Sequence, residues 1–291
     1  MKIKHSYIFC WLLSIVSHTV FATQTIQNET LESDNKLTKT YKLGVVPQQS
    51  AKVLAKLWTP ISQYLSAETG LNIIFSTAKD IPTFEKRLLE GEYDIAYMNP
   101  YHFTVFNQIP GYQAIAKEQN KRIKGIIVVA KNSPVKQLSD LDGSELAFPA
   151  PAAFAASVLP RAKMRDLGIE LTPKYVSSHD SVYLGVANGF FIAGGGIMRT
   201  FNNLEQLTRE KLKILWTTPG YTPHAIAVHP KMDSEVADKI QNAILSLKDT
   251  AKGKKLLESV KFKNLGEATS SDWDDVRALK IKLLEHMLKR S

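Results

Sequence analysis

The chain has 291 residues, of which 44% are hydrophobic, and it carries a formal net charge of +9 at pH 7. This length and composition are typical of a soluble globular protein with one large or two modest domains, and no low-complexity tract interrupts it. The basic residues alternate with acidic ones instead of with aromatics, so we expect solvated helix surfaces and no nucleic-acid partner.

Residues 1–22 have the three parts of a secretory signal peptide. Lys2 and Lys4 precede an apolar run over 7–16, and a small residue, Ala22, ends the segment. The apolar run is shorter than the roughly 20 residues that span a bilayer. We therefore expect cleavage near Ala22 and export to the periplasm, in preference to an uncleaved anchor.

The only cysteine, Cys10, lies inside this segment, so the mature chain would contain no disulfide and no cysteine nucleophile or metal ligand. Residues 23–40 are polar and lack apolar periodicity, which predicts a flexible leader. From Tyr41 onward, short apolar runs alternate with amphipathic stretches, a pattern typical of an α/β fold.

A first lobe is predicted over 41–131. Its predicted strands are 41–46, 71–76, 94–98, 112–117 and 124–131, and its predicted helices are 51–69 and 81–89. Asn132-Ser133-Pro134 interrupts the rhythm, after which the alternation of strands and helices begins again. A second lobe is therefore predicted over 132–225.

The second lobe has predicted strands at 145–148, 174–176, 190–193 and 213–217, and predicted helices at 155–167, 181–188 and 204–211. A strand at 224–229 and helices at 235–247, 251–260 and 272–289 follow. These predict a return to the first lobe over 226–291. Crossings near 130–136 and 223–228 would then form a double hinge around a ligand cleft.

Polar side chains follow two strands of the first lobe, where loops lead into helices and ligands commonly bind. Gln48, Gln49 and Ser50 follow the first strand and are either ligand donors or a capping loop. Asn99 and Tyr101 follow the strand 94–98, and we expect Tyr101 to contact a ligand.

Two further candidate loops lie in the second lobe. Residues 148–154 lead through Ala153 and Phe154 to a helix that contains Ser157, so they predict either an anion site at helical N–H groups or a loop over an apolar pocket. Ser178, His179 and Asp180 are contiguous and cannot form a hydrolytic triad, whose members converge from separate segments. The loop therefore predicts one of two roles: either Ser178 or His179 contacts the ligand, or the loop only caps the following helix.

The glycines at 194–196 have neither dinucleotide-binding nor P-loop spacing and predict a hinge or cleft wall with close backbone approach. Arg199 after them would pair with an anion or with a surface carboxylate. The spacing of His102, His179, His224 and His229 does not match known metal motifs, so we expect no metal and no cofactor.

At these junctions the sequence resembles the phosphonate- and phosphite-binding family of periplasmic substrate-binding proteins of ABC importers. The similar stretches are LGVVP at 43–47, GEYDIAYMNP at 91–100, LSDLDG at 138–143, and SHDS at 178–181 with Asn188-Gly189.

The resemblance covers residues 41–260. It implies a type II periplasmic-binding fold with two α/β lobes, each a mixed sheet flanked by helices, closing on an oxyanion. The ligand loops it implies are 48–50, 99–101, 152–157 and 178–180.

The resemblance also implies a monomeric, non-enzymatic protein that delivers a small anionic ligand to a membrane permease. The run Ala152-Ala153-Phe154-Ala155-Ala156 stands where relatives tend to place several Ser or Thr, and Ile192 stands where relatives often have an acid. An uncharged or partly apolar solute is therefore an alternative ligand. A sensory receptor that presents a solute to a membrane signalling protein is an alternative function, and an exported hydrolase is a third.

Overall fold

Two mixed β-sheets, each flanked by helices, form residues 39–289, which are the residues that the computed structural model describes. The predicted signal peptide and residues 23–38 of the predicted leader lie outside these described residues. The strands are β1 (Thr40–Val45), β2 (Asn72–Ser76), β3 (Ile95–Met98), β4 (Gln113–Glu118), β5 (Gly125–Ala130), β6 (Ser144–Phe148), β7 (Leu171–Tyr175), β8 (Ala193–Ile197), β9 (Leu212–Thr217), β10 (Ala225–Val228) and β11 (Leu265–Glu267).

The helices are α1 (Ala51–Thr69), α2 (Ile81–Leu89), α3 (Pro100–Phe106), α4 (Leu159–Asp166), α5 (His179–Ala187), α6 (Met198–Asn202), α7 (Gln206–Glu210), α8 (Ser234–Ser246), α9 (Ala251–Ser259), α10 (Asp274–Arg277) and α11 (Glu285–Leu288). Single 3-10 turns occur at Leu138–Leu141 and Ser270–Trp273, and a π-helical turn occurs at Phe154–Val158. No helix within residues 39–289 combines the length and the apolar character needed to cross a membrane.

The strand order is β11-β4-β10-β3-β1-β2 in the first sheet and β7-β6-β8-β5-β9 in the second. In the first sheet β1 is parallel to β2 and β3, whereas β10 is antiparallel to β3 and β4. In the second, β6 is parallel to β7 and β8, whereas β5 is antiparallel to β8 and β9. The prediction of two mixed sheets is confirmed. We name the first sheet with its helices lobe 1 and the second sheet with its helices lobe 2.

Local sequence explains the central elements of lobe 1. All of β3 is buried, as expected for an apolar run with strands on both sides. The Ser50 hydroxyl caps α1 by accepting from the Val53 amide, and Gly70 ends the helix in the left-handed conformation at φ 70°. One face of α1 is buried through Leu54, Trp58, Ile61 and Leu65.

The chain crosses between the lobes at 119–124 and at 218–224. The two segments are joined where Ile123 and Tyr221 exchange backbone hydrogen bonds of 2.7 and 2.9 Å. The predicted first crossing at 130–136 was wrong, because β5 pairs with β8 and β9 in lobe 2. Residues 125–130 therefore belong to the second sheet, not to lobe 1.

The glycines at 194–196 lie inside β8, so the predicted strand at 190–193 was placed too early. A Cβ on Gly195 would collide with the Ala156 carbonyl and lie 2.7 Å from the Phe148 ring. A Cβ on Gly196 would collide with the Tyr183 hydroxyl. The glycines therefore allow close backbone approach between β8 and the helical turns that pack on it.

The predicted helix at 272–289 is broken into short turns. Lys280 adopts the left-handed conformation at φ 49°, which an α-helix does not tolerate. Trp273 anchors the first turn, because its indole donates to the Pro223 carbonyl at 2.8 Å. The short strand β11, which pairs with β4, was not predicted.

Replacement of Gly195 by alanine should lower the free energy of unfolding by about 1–3 kcal/mol, because the added methyl group overpacks a rigid backbone contact. Urea unfolding would measure this. Gly266→Ala is the control, since the atoms nearest its new Cβ belong to the side chain of Gln119, which can move at the cost of its exposed hydrogen bond to the Glu267 carbonyl. We expect a smaller loss of stability than in Gly195→Ala. Equal stability of the two variants would contradict the proposed role of Gly195.

Candidate functional site

Loops from both lobes enclose a small cavity with a volume of about 10 Å³, close to the space that one water molecule needs. Among the described residues that line it, the polar ones are Gln48, Asn99, His179 and His224. The rest of the lining is apolar, and its longest part is the run over 153–156. Lobe 1 and the second crossing segment therefore provide most of the polar side chains.

Asn99 begins α3 and also joins the two lobes. Its Oδ1 accepts from the His102 amide at 2.7 Å, which makes Asn99 the N-cap. Its Nδ2 donates to the Ala152 carbonyl of lobe 2 at 3.3 Å. The side chain is thus held in one orientation at the cavity by a contact on each side.

Gln48 follows β1 and contacts both the second crossing segment and lobe 2. Its carbonyl accepts from the His179 amide at 3.1 Å, and its side-chain Nε2 lies 2.8 Å from Nε2 of His224. Because an amide nitrogen only donates, His224 Nε2 accepts here and its proton lies on Nδ1. Burial first, and then the charge of Arg199, lowers the pKa of His224 well below its ordinary value.

The wall from lobe 2 starts at Ala153 and continues through the π-helical turn that begins at Phe154. Both predicted residues line the cavity. Ser157, also predicted, is fully buried but does not line it, and its Oγ has no hydrogen-bond partner among the described residues. This wall therefore presents no hydroxyl to the cavity.

His179 is the first residue of α5 and lines the cavity. Its Nδ1 lies 3.3 Å from the hydroxyl of Thr200. The side chain is only 2% exposed, and this burial lowers its pKa to about 3. The imidazole is therefore neutral at pH 7.

The other predicted residues of these loops seal the boundary between the lobes. The Asp180 carboxylate accepts from the Ser50 amide at 3.1 Å, and burial raises the pKa of Asp180 while this bond and the Gln49 side chain oppose the rise. Ser178 is the N-cap of α5. Gln49, Ser50, Ser178 and Asp180 do not line the cavity.

Tyr101 lies away from the cavity. It is 2% exposed, and its hydroxyl accepts from the Leu284 amide at 2.9 Å and donates to the Ile281 carbonyl at 3.4 Å. The structure thus places this predicted ligand residue under the C-terminal segment, where it anchors that segment to lobe 1.

Arg199, predicted to pair with an anion or a carboxylate, extends from lobe 2 into a pocket of lobe 1. Its guanidinium lies 3.5 Å from the Glu118 carboxylate, donates to the Tyr97 hydroxyl and lies 4.9 Å from the ring centroid of Phe262. Arg199 does not line the cavity. Arg199 instead forms an ion pair with Glu118 that joins the two lobes.

His224 also lines the cavity but was not predicted as a ligand residue, because its spacing from other histidines was tested only against metal motifs. Its ring stacks on Tyr97 with centroids 4.9 Å apart, and it ends the second crossing segment just before β10. Its position, as a polar residue at the end of a crossing between the lobes, was the sequence signal that could have identified it as a site residue. Residues 39–289 contain no cluster of His, Cys, Asp or Glu suited to a metal ion.

The contiguous Ser178, His179 and Asp180 do not converge as a triad. The Ser178 hydroxyl bonds to the Ser181 hydroxyl at 2.9 Å, whereas His179 faces Thr200 and Asp180 faces Ser50. No nucleophile, base and orienting group are therefore aligned in this loop.

Comparison with known proteins identifies what kind of protein this cavity belongs to. The model of the family described as "ABC transporter, phosphonate, periplasmic substrate-binding protein" matches residues 43–273. The chain belongs to this family. This binding protein is therefore a component of ABC transporters and not an enzyme, as the resemblance implied.

Curated relatives of the binding protein are distant. The Phosphate-import protein PhnD of Mycolicibacterium smegmatis is 23% identical over 229 residues, covering 70% of this chain and 70% of that protein. The probable ABC transporter phosphite binding protein PhnD1 of Prochlorococcus marinus is 21% identical over 267 residues, covering 84% of this chain and 90% of that protein.

Solved structures confirm the type II two-lobed fold of the binding protein. PhnD1 of Prochlorococcus marinus in complex with methylphosphonate matches with a TM-score of 0.78 at 20% identity, covering 84% of this chain and 98% of that chain. A binding protein component of an ABC phosphonate transporter from Pseudomonas aeruginosa also has a TM-score of 0.78, at 15% identity, covering 84% and 86%.

Removal of the Arg199 side chain should open the binding protein. Glu118 is 2% exposed and Arg199 13% exposed. Arg199→Ala removes the partner of this carboxylate from the other lobe, whereas Lys121 remains at 3.0 Å, so the closed form should lose about 1.5–3 kcal/mol. Small-angle scattering of ligand-free protein should show a larger radius of gyration. Lys174→Ala, which removes an exposed pair with Glu145 inside lobe 2, should leave it unchanged. Equal radii for both variants would contradict this role.

The two cavity histidines should make the ligand-free binding protein less stable in mild acid. Their pKa values lie below the ordinary value in the folded chain, so below pH of about 6.5 the unfolded chain binds more protons. Stability then falls by up to about 1.4 kcal/mol per pH unit for each histidine. Urea unfolding between about pH 7 and about pH 5 should show a smaller loss in His179→Gln than in wild type.

The exposed His286 provides the control for that measurement. His286→Gln should lose as much stability as wild type between the two pH values, because the side chain of His286 is exposed and lies outside the cavity. A loss in His179→Gln equal to that of wild type would show that burial of His179 does not oppose its protonation.

Proposed function

We propose that this binding protein captures a small phosphorus oxyanion of the phosphonate, phosphite or phosphate type and delivers it to the permease of an ABC importer. The observation that carries the proposal is the cavity between the lobes, with Gln48, Asn99, His179 and His224 among the described residues on its polar side and 153–156 on its apolar side. Such a surface suits a small ligand with oxygens at one end and an apolar group at the other.

The polar side chains can donate hydrogen bonds to ligand oxygens. The Asn99 and Gln48 amides and the Nδ1–H of His224 are donors, and the His224 Nδ1 has no partner among the described residues. Relatives support this ligand class, since one carries the name of a phosphate-import protein and another that of a phosphite-binding protein. The matching structure of PhnD1 is a complex with methylphosphonate.

The apolar wall favours particular members of this class. A fourth phosphate oxygen against Ala153 and Phe154 would have no side-chain donor, and an unpartnered buried oxygen costs roughly 1–3 kcal/mol. The hydrogen of phosphite or the methyl group of methylphosphonate needs no such donor. None of the described lining residues is acidic, so an aminoalkyl phosphonate would lack a counter-charge for its ammonium group.

The location and assembly that we propose follow the family. The family is periplasmic, and we propose that the chain is exported, cleaved near Ala22 and active as a monomer. The closed cavity has room for about one water molecule, so the lobes open to admit the ligand and then close on it. A ligand that prefers the closed state shifts the equilibrium toward that state.

Thermal unfolding with a panel of oxyanions tests the ligand class. Methylphosphonate and phosphite at about 100 times their dissociation constants should stabilise the protein by about 2.7 kcal/mol, a rise in Tm of about 5 °C. Phosphate should give a smaller rise, and 2-aminoethylphosphonate and sulfate little or none.

Ala153→Val narrows the cavity and should abolish the response, because Ala153 is 4% exposed and lines it. Ala162→Val makes the same change on α4, outside the cavity, and should keep the response. A rise in Ala153→Val equal to that in wild type would place the ligand elsewhere, and no rise with any oxyanion would exclude the proposed ligand class.

A further inference from the structure

The candidate ligand site contains no formal charge among its described lining residues. Its polar groups are two amides and two imidazoles, and both imidazoles are neutral in the ligand-free protein. The nearest guanidinium, that of Arg199, is already paired with Glu118 at 3.5 Å. An anion that entered this cavity would therefore meet hydrogen-bond donors but no opposite charge.

A buried anion without an opposite charge is strongly disfavoured, because it loses its hydration without compensation. The start of α5 helps only partly, since a helix N-terminus is equivalent to about half a positive charge. Anion sites usually obtain the remainder from Arg or Lys. Among the described residues lining this cavity, only His179 and His224 can become cationic.

The surroundings of His224 oppose a positive charge. The charges of Arg199 and Lys121 and the imidazoles of His102 and His179 all act against protonation of His224. Its Nε2 also accepts from Gln48, so protonation would turn that contact into one between two donors.

The surroundings of His179 are more favourable to a positive charge. Burial lowers its pKa, and the facing imidazole of His224 stays neutral, so it adds no positive charge beside His179. The carboxylate of Asp180 follows it on the same helix, the Tyr183 ring lies 6.5 Å away, and the Gln48 carbonyl of lobe 1 accepts its backbone N–H. An anion beside His179 would supply the favourable charge that the empty cavity lacks.

The Thr200 hydroxyl is the protein partner of the His179 ring. It lies 3.3 Å from Nδ1, and it also lies 3.1 Å from the Ile197 carbonyl and 2.8 Å from the Tyr183 hydroxyl. This hydroxyl can therefore accept from an Nδ1–H or donate to a bare Nδ1. In either tautomer of the neutral imidazole, one ring nitrogen carries no hydrogen and is basic.

We propose that His179 takes up one proton when an oxyanion enters the cavity, so that the protein captures the anion and the proton together. The proton comes from the buffer and adds to the ring nitrogen that carries no hydrogen, and no bond between heavy atoms changes. This inference rests on the proposed function and deepens it by naming the counter-charge at the same site. Affinity should increase by up to tenfold for each unit that the pH falls.

Isothermal titration of methylphosphonate in two buffers of different ionisation enthalpy counts the protons taken up on binding. Wild type should take up about one proton more than His179→Gln does. The difference counts the protons whose uptake depends on His179, whether they reside on the ring or on the ligand. The exposed His286 supplies the matched control, because His286→Gln should take up as many protons as wild type.

Hypophosphite provides a second probe, because its single charge does not change between about pH 5 and about pH 8. Its affinity for wild type should rise as the pH falls, and its affinity for His179→Gln should stay constant. A nitrogen-detected NMR spectrum of the wild-type imidazoles, with and without ligand, makes the test independent of any variant. The His179 signals should change from neutral imidazole to imidazolium on binding.

Outcomes of these experiments separate the inference from the proposed function. Binding with equal proton uptake in wild type and His179→Gln, or a His179 ring that stays neutral in the complex, overturns the inference and leaves the ligand class intact. Failure of every phosphorus oxyanion to bind at any pH overturns the proposed function, and the inference falls with it.

Discussion

Helices of both lobes begin at one buried boundary, where their first backbone N–H groups need acceptors from outside the helix. In the closed arrangement each lobe supplies acceptors for the other. The Gln48 carbonyl accepts from the His179 amide, and the Asp180 carboxylate accepts from the Ser50 amide. Opening would replace these bonds by bonds to water, so each contributes only about 0.5–1.5 kcal/mol. The balance between open and closed forms is therefore small enough for a small ligand to shift.

The hinge and the cavity wall are mechanically coupled through one glycine. Gly125 begins β5 directly after the first crossing segment, and a Cβ on it would collide with the carbonyl of Ala155. Because Ala155 lines the cavity, the chain that leaves the hinge is packed against the wall that meets the ligand. Rotation at the crossing therefore moves the apolar wall without an intervening flexible loop, as expected for close-packed protein interiors.

Local sequence signals predicted the features that depend on neighbouring residues. The caps at Ser50 and Ser178 follow from side chains that accept from amides three residues ahead, and the order of motifs indicated the two-lobed fold. The helix α3 and its cap at Asn99 were not predicted. Features that depend on distant pairing were not predictable in this way. The apolar run of β5 suits either sheet, so its place in lobe 2 is set by β8 and β9. Likewise, Arg199 and Tyr101 were identified as polar groups, but partners remote in sequence decide where they point.

The recognition surface is divided unequally between the lobes. Gln48 and Asn99 come from lobe 1 and His224 from the adjoining crossing segment, whereas lobe 2 contributes His179 beside an apolar wall. A ligand would therefore exchange its water for hydrogen bonds mainly on lobe 1, and lobe 2 would close over it. Closure of an apolar wall removes the remaining water, which strengthens every electrostatic interaction inside the cavity. The role of this wall is to exclude water, and His179 provides the polar contact from lobe 2. Alanine is therefore suitable at positions 153, 155 and 156.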